Sequence, residues 1–186
     1  MNVIFRFFFR IFGWKLVGEV APEVTKAIIA VAPHWHNKDF FVGLGTRATM
    51  RRKIRFLGKS ELFKAPFGFI FRGLDGIPVY RKTNMNMVES MTESVKNAED
   101  GLICIAPEGT RKNVAKLKSG FYHIALGANI PIVMIGFDYA NKRSVIAEPF
   151  YPSGNYEEDM LKYCVPFFEK IAPNKDWIKN YKEGKF

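Results

Sequence analysis

The sequence predicts a single α/β domain, with helices on both faces of a central sheet that is largely parallel or mixed. Three apolar runs, at 27–32, 102–106 and 132–137, have the length and composition of buried strands. Segments with helical spacing separate these runs, and strands that alternate with helices form such sheets. The length of 186 residues suits one domain with a sizeable core.

The first 20 residues predict an amphipathic helix at a membrane interface. Arg6 and Arg10 share one helical face because they are four residues apart, and isoleucines and phenylalanines between residues 4 and 12 cover much of the remainder. Basic, aromatic segments of this kind lie in a membrane interface, and this one is too short and too charged to span a bilayer. We therefore expect residues 1–20 to associate with a membrane and residues 21–186 to form the folded domain.

The remaining elements follow from apolar patterns and turn residues. Strands are predicted at 27–32, 54–57, 77–80, 102–106, 132–137 and 144–147. Helices are predicted at 39–50, 61–71, 117–128 and 155–171, and from Thr83 or Asn84 to a stop at Gly101. Asn37 suits the N-cap of the first helix. Pro66 and Gly68 disturb the helix at 61–71, and Pro166 breaks or kinks the helix at 155–171. The residues after 171 are predicted to form a polar, basic tail.

The composition is strongly basic. Lysine and arginine outnumber aspartate and glutamate by 28 to 18, which gives a formal net charge of +10. A basic surface implies an anionic partner, which is nucleic acid, anionic lipid or a phosphorylated substrate. The sequence has no zinc-finger or RNA-recognition signature, so we expect no nucleic acid. The two cysteines, Cys104 and Cys164, imply no disulfide framework, and no Cys/His cluster has zinc spacing, so we expect no metal ion.

The most informative stretch is 33–39 (PHWHNKD), which holds two of the three histidines and a carboxylate. A histidine beside a carboxylate is the usual general base, because the acid holds one ring nitrogen while the other takes a proton. On one helix His34 and Asp39 would lie about 140° apart, so they meet only if His34 is in a loop and Asp39 in the first helical turn. His36 is a rival, because residues three apart on a helix face each other. On this stretch alone, two surface histidines beside a capping acid remain an equal interpretation.

Other polar residues are predicted at the same edge of the sheet. In parallel sheets, ligands bind beyond the carboxyl ends of the strands. Arg81 follows the strand at 77–80, and Glu108, Gly109, Thr110 and Arg111 follow the strand at 102–106. Arginine suits bidentate binding of phosphate, and glycine lets the backbone approach a ligand closely. The predicted edge therefore combines a base, its orienting acid and groups suited to an anionic ligand.

These residues lie in four ordered motifs that resemble those of the 1-acylglycerol-3-phosphate acyltransferases and their glycerolipid acyltransferase relatives. The motifs are His-x4-Asp at 34–39, an apolar strand ending in arginine at 76–81, Pro-Glu-Gly-Thr-Arg at 107–111 and Ile-Pro-Ile-Val at 130–133. Lys59 begins a stretch similar to the family's Lys-x-Glu-Leu. Where the family has serine after the third motif and proline ending the fourth, this chain has Lys112 and Met134. The likeness covers roughly residues 27–137.

The resemblance implies direct transfer of an acyl group from acyl-CoA or acyl-carrier protein to lysophosphatidate, giving phosphatidate. It selects His34 over His36 as the base, with Asp39 fixing the histidine tautomer. Substrate contacts would come from Arg81, Glu108, Gly109, Thr110 and Arg111, with Lys59 and Lys112 as further candidates for phosphate binding. The resemblance implies no cofactor beyond the acyl donor, and residues 21–186 would be the acyltransferase domain. It also implies a peripheral enzyme on the cytoplasmic face of an anionic membrane, where the lysophospholipid acceptor resides.

Two alternatives use the same residues differently. The first keeps the chemistry but changes the acceptor, for example to another lysolipid or to glycerol 3-phosphate. The second is a non-catalytic basic protein that binds membranes, which the net charge of +10 also suits. Removing the acceptor's phosphate tests the first alternative, and an assay of acyl transfer tests the second.

Overall fold

A computed structural model describes residues 2–34, 36–79, 87–98 and 101–186. In this part of the chain, seven strands form one mixed sheet in the order β1-β7-β6-β2-β5-β3-β4. The strands are β1 (Lys15–Val17), β2 (Lys26–Val31), β3 (Ile54–Lys59), β4 (Gly76–Val79), β5 (Gly101–Ile105), β6 (Ile132–Asp138) and β7 (Arg143–Ile146). The predicted α/β domain is confirmed, and each predicted strand is present.

The strand directions decide which loops meet at which edge. β6, β2, β5, β3 and β4 are parallel, whereas β7 is antiparallel to β6. β1, which the sequence did not predict, pairs parallel with β7 and is therefore antiparallel to the five central strands. As a result, the amino end of β1 lies at the same edge as the carboxyl ends of β2 and β5.

The helices before β6 are α1 (Asn2–Ile11), α2 (Asp39–Met50), α3 (Gly68–Gly73), α4 (Met87–Asn97) and α5 (Gly120–Ala128). The helix predicted at 61–71 is instead a 3₁₀ turn at Ser60–Phe63 followed by α3, because Pro66 interrupts the segment. α5 begins at Gly120 instead of 117, and Gly101 opens β5 instead of ending α4. The predicted start of α4 at Thr83 or Asn84 lies outside the described residues.

The C-terminal part contains more structure than predicted. α6 (Tyr156–Asp159) continues through a π-helical turn (Met160–Cys164) into α7 (Val165–Glu169). The π turn ends two residues before Pro166, which lacks the amide hydrogen that a regular helix would need there. The predicted polar tail instead contains α8 (Asp176–Lys182), which buries Trp177, Ile178 and Tyr181. None of the helices in the described residues has the length and apolar character to cross a membrane.

The helices form two layers, one on each face of the sheet. One layer holds α4, α5 and the C-terminal helices, which bury Val95, Phe121, Phe168 and Trp177 against the sheet. The other layer holds α1 and α2, which contribute Phe9 and Val42 to the second core. α3 lies in the same layer as α2. The connections from β2 to β3 and from β3 to β4 both move toward the same edge of the sheet, and right-handed crossovers in one direction place their helices on one face.

Candidate active site

The loop after β2 and the first turn of α2 bring His34 and Asp39 together. β2 ends at Val31, residues 32–34 and 36–38 are not helical, and α2 begins at Asp39 itself. The chain therefore reverses direction between the two side chains. Nδ1 of His34 lies 3.0 Å from Oδ2 of Asp39, which is buried, while His34 is half-buried. This leaves Nε2 as the ring nitrogen directed away from the acid.

Asp39 is held by three groups. Besides the contact with His34, Oδ2 accepts a hydrogen bond of 2.8 Å from the backbone N–H of His36, and the Tyr139 hydroxyl donates to Oδ1. Burial raises the pKa of Asp39, but the contacts with His34, Tyr139 and the His36 amide outweigh burial and leave the pKa below its ordinary value. Asp39 is therefore an anion at neutral pH, as the partner of a basic histidine must be.

His36 approaches Asp39 through its backbone, whereas its ring packs edge-on against Tyr139 at 5.7 Å between centroids. The predicted N-cap role of Asn37 is wrong, because Lys38 occupies the N-cap position of α2 and its side chain makes no capping hydrogen bond. The Asp39 carboxylate, which accepts the His36 amide, fixes the approach to the helix instead.

Glu108 supports the same loop from the neighbouring strand. β5 pairs with β2, so the turn after β5 lies beside the loop that carries His34. Oε2 of Glu108 accepts a hydrogen bond of 2.5 Å from the backbone N–H of His34. Oε1 accepts a hydrogen bond of 3.2 Å from the Trp177 indole and lies 2.8 Å from the Lys175 ammonium. Glu108 thus links the histidine loop to the C-terminal segment.

The ion pair of Glu108 and Lys175 is fully buried, since both side chains are 0% exposed. Removing two charges from water is costly, and such a pair persists only where hydrogen bonds satisfy the remaining valences. On the Glu108 side, the His34 amide and the Trp177 indole supply those hydrogen bonds. The carboxylate of Glu108 is consequently engaged by three donors of the protein itself.

Gly109, Thr110 and Arg111 follow Glu108 at the surface. Gly109 has φ +63°, a conformation that favours glycine. Arg111 is exposed, and Thr110 Oγ1 accepts a hydrogen bond of 3.3 Å from the N–H of Lys112. An open cavity of about 830 Å³ begins at this turn and is lined by residues that include Thr110, Lys118, His123, Tyr156 and Phe186.

For two predicted site residues, Lys59 and Arg81, the structure describes no side chain. Lys59 is the last residue of β3, so its backbone lies at the carboxyl edge of the sheet, beside the turns already described. Arg81 lies outside the described residues. Both remain predictions from the sequence.

Cys104, in the middle of β5, is a poor nucleophile because burial raises the pKa of its thiol to about 12. The chemistry of the site therefore centres on the His34–Asp39 pair. Among the described residues, no group of three or more histidine, cysteine, aspartate or glutamate side chains is arranged to hold a metal ion.

Three residues of the site were not predicted from the sequence: Tyr139, Lys175 and Trp177. Tyr139 directly follows a predicted strand whose end lies at the ligand edge, which is a signal that strand-end reasoning could have used. Trp177, Ile178 and Tyr181 have helical spacing, which could have indicated α8. Lys175 carries no such signal, because a lysine in a basic segment is normally solvated.

Comparisons with known proteins show the family and the fold of the chain. The Acyltransferase family model matches residues 15–138. The fold is similar to the crystal structure of the 1-acyl-sn-glycerophosphate (LPA) acyltransferase PlsC from Thermotoga maritima, with a TM-score of 0.60 and 20% sequence identity. That match covers 99% of this chain and 78% of the other. No curated protein sequence matches the chain.

Proposed function

Since the chain belongs to the acyltransferase family, we propose that it moves a fatty acyl group from an acyl thioester to a hydroxyl of lysophosphatidate, giving phosphatidate. The observation that carries the proposal is the buried contact of 3.0 Å between His34 and Asp39. The name of the structural relative, a lysophosphatidate acyltransferase, supports the choice of acceptor.

In the proposed reaction, Nε2 of His34 takes the proton of the acceptor hydroxyl as its oxygen attacks the thioester carbonyl. The ester bond forms, the carbon–sulfur bond breaks, and the departing thiolate receives the proton from the imidazolium. Asp39 fixes the tautomer of His34 and stabilises the imidazolium, in the way that the acid of a catalytic triad does. The lowered pKa of Asp39 supports this role, because only an ionised carboxylate stabilises the cation.

For the acceptor's phosphate we propose Arg111 and Arg81, with the backbone at Gly109 and Thr110 and the side chain of Lys59 as further contacts. Arg111 is exposed and Gly109 is free of a side chain, which suits the close approach of an anion. Glu108 serves the site differently: its carboxylate holds the His34 amide, and its negative charge would repel a phosphate.

We further propose that the enzyme works as a peripheral protein on the cytoplasmic face of an anionic membrane, with acyl-CoA or acyl-carrier protein as donor. Lipid acceptors reside in the bilayer, and α1 exposes Ile4, Phe8 and Ile11, with Phe12 exposed in the turn that follows. The net charge of +10 favours an anionic surface, at about 1 kcal/mol for each basic residue near it.

The test is acyl transfer in mixed micelles from a labelled long-chain acyl thioester. Lysophosphatidate and a monoacylglycerol without phosphate serve as acceptors for the wild type, His34→Ala and His36→Ala. We expect the wild type to acylate lysophosphatidate, His34→Ala to lose at least about a thousandfold in kcat, and His36→Ala to retain most of its activity.

Loss of activity in His36→Ala alone would overturn the assignment of the base. Equal turnover of the two acceptors by the wild type would overturn recognition of the phosphate. Binding to lipid with no acyl transfer to any acceptor would favour the non-catalytic alternative.

A further inference from the structure

The large apolar side chains that are exposed in the described residues concentrate in one helix layer. The layer of α1, α2 and α3 exposes Val3, Ile4, Phe7, Phe8, Ile11, Phe12, Phe41, Leu62, Phe67, Phe69 and Ile70. The helices of the opposite layer expose isolated residues at Met87, Leu126 and Leu161. Contiguous apolar surface on a basic protein indicates an interaction site, whereas single exposed residues are ordinary.

The segment between β3 and β4 contributes a patch separate from α1. Phe63 is buried and packs on Phe71, with 6.0 Å between ring centroids. Phe67 and Phe69 point the other way and are 64% and 71% exposed. These two rings therefore do not fill the protein interior, and their neighbours Leu62 and Ile70 extend the same apolar surface.

Phe41 connects this patch to the catalytic edge. It is 65% exposed and lies two residues after Asp39, in the first turn of α2. Its neighbour Phe40 contacts Phe71 of α3 at 5.9 Å between centroids. The first turn of α2, which carries the catalytic acid, thus lies against the element that exposes Phe67 and Phe69.

The other flank of the catalytic edge meets the end of α1. Trp14, just beyond α1, packs against Tyr139 at 5.1 Å between centroids, and Tyr139 donates to Asp39. Ile11, the last residue of α1, and Phe12, in the turn that follows, are exposed and precede Trp14 by three and two positions. The two apolar patches therefore border the same catalytic edge, one on each side of His34 and Asp39.

Basic side chains accompany the second patch. Lys64 and Arg72 flank Phe67 and Phe69 along the chain, and both side chains are exposed. Apolar rings flanked by Lys64 and Arg72 match the interface of an anionic bilayer, where rings enter the acyl boundary and cations meet the headgroups, although Glu61 beside Leu62 is exposed too. An acidic protein would match the cations alone, but the exposed phenylalanine rings require an apolar partner as well, which the acyl boundary of a bilayer supplies.

We propose that the segment Leu62–Ile70 is a second membrane contact, which inserts Phe67 and Phe69 into an anionic bilayer beside the contact of α1. With Phe41 between the two contacts, the bilayer meets the protein along the edge that carries His34. A lipid acceptor then reaches the base without leaving the membrane surface. This inference rests on the proposed function, because it assumes a lipid acceptor.

The experiment measures flotation of the full chain with vesicles of phosphatidylcholine containing phosphatidylglycerol. The variant Phe67→Ser/Phe69→Ser removes the second contact, and Leu126→Ser/Leu161→Ser removes a similar number of exposed apolar side chains from the opposite layer. We expect each lost phenylalanine to weaken binding about tenfold, so about a hundredfold for the pair, and the control to bind within about twofold of the wild type.

Unchanged vesicle binding by Phe67→Ser/Phe69→Ser would overturn the proposal. A wild type that sediments as a dimer, together with a variant that sediments as a monomer, would also overturn it. The patch would then bind a second copy of the chain and not a bilayer. Turnover of a short-chain lysophosphatidate below its micellar concentration separates this inference from the proposed function. The Phe67→Ser/Phe69→Ser variant should still acylate the short-chain lysophosphatidate. If the wild type does not acylate it, the proposed acceptor is wrong, and the membrane contact is not what failed.

Discussion

At the scale of single residues, the carboxylate of Asp39 is the best-defined group of the site. His34, the His36 amide and Tyr139 surround it, and each contact favours the ionised form. Burial and the neighbouring Asp39 both raise the pKa of Tyr139, so the hydroxyl keeps its proton and remains a donor. Tyr139 therefore orients the carboxylate of Asp39, which in turn contacts the ring of His34.

Replacing Tyr139 by phenylalanine should lower kcat about tenfold with little change in KM, because one hydrogen bond to a charged group contributes about 1.5–3 kcal/mol. Steady-state kinetics in mixed micelles measures the effect. Tyr122→Phe is a matched control, since its hydroxyl donates a hydrogen bond of 2.7 Å to another buried acid, Asp159, remote from the histidine loop. Equal effects of the two substitutions on kcat would argue against a specific role for Tyr139.

Lys175→Met should destabilise the protein by about 3–5 kcal/mol, because it leaves the buried charge of Glu108 without its ammonium partner. Adding Glu108→Gln removes both charges and should recover most of the stability. Activity should stay low in the double variant, because an amide offers one acceptor oxygen to the His34 amide and the Trp177 indole, where the carboxylate offers two.

Urea unfolding and kcat, measured on the same variants, separate the two effects. If the Glu108–Lys175 pair acts only on stability, kcat will recover together with stability in the double variant. Persistent loss of kcat with restored stability identifies Glu108 and Lys175 as positioning residues for His34.

At the scale of elements, the sequence predicts what is long and apolar and misses what is short or depends on distant partners. β2, β5 and β6 are continuous apolar runs, and their burial follows directly from composition. β1 has only three residues and becomes a strand by pairing with β7, more than a hundred residues later. α8 has seven residues, and its helical state depends on packing Trp177 and Tyr181 into the core.

In the site, too, local features could be predicted from the sequence, and features that depend on distant partners could not. The spacing of His34 and Asp39 and their place at a strand end are local features, so the sequence allowed their contact, although the family resemblance was needed to choose His34 over His36. The surroundings of Glu108 are not local, because its partners Lys175 and Trp177 follow it by more than sixty residues, on a segment predicted to be a polar, basic tail. Whether a lysine is solvated or paired in the core is decided by tertiary contacts that a single sequence does not display.

The contact of α1 with α2 depends on a glycine. A Cβ at Gly45 would lie 2.5–2.9 Å from atoms of Phe9, including its Cβ, so the ring cannot simply turn away. A Cβ at Gly43, on the same helix, would meet only Phe137 at an ordinary 3.8 Å. The two positions therefore form a matched pair.

Gly45→Ala should destabilise the protein by about 1–3 kcal/mol through overpacking, and it should expose the chain after α1 to protease. Gly43→Ala should be neutral or stabilise by up to about 1 kcal/mol, because alanine favours the helix. Urea midpoints and limited proteolysis measure both effects. Equal destabilisation by the two substitutions would contradict the packing of Phe9 on Gly45.

At the scale of the whole molecule, two buried carboxylates link stability to pH. Burial raises the pKa of Asp138, but Arg143 and Asn141 outweigh it, so the pKa is lowered, as it is for Asp39. A carboxylate with a lowered pKa in the folded state stabilises the fold above its ordinary pKa of 3.8. That stabilisation is lost as the pH falls from this value through the lower pKa of the folded state.

The free energy of unfolding should therefore be nearly constant from pH 7 to about 5 and fall steeply below about 4. Urea unfolding at stepwise lower pH measures the curve. In Asp138→Asn, the fall below about pH 4 should be shallower than in the wild type, because one of the responsible groups no longer titrates. An identical slope in this variant would exclude Asp138 as a contributor.

The link from Glu108 to the C-terminal segment restricts how this protein can be recombined with its relatives. A chimera joined after residue 138, where the family match ends, would take Glu108 from one parent and the segment that supplies Lys175 and Trp177 from another. Unless the second parent provides a cation and a donor at the same places, the histidine loop would lose its support although every motif residue is retained. A modular exchange must therefore move residues 107–110 and 175–181 together, as a single inherited unit.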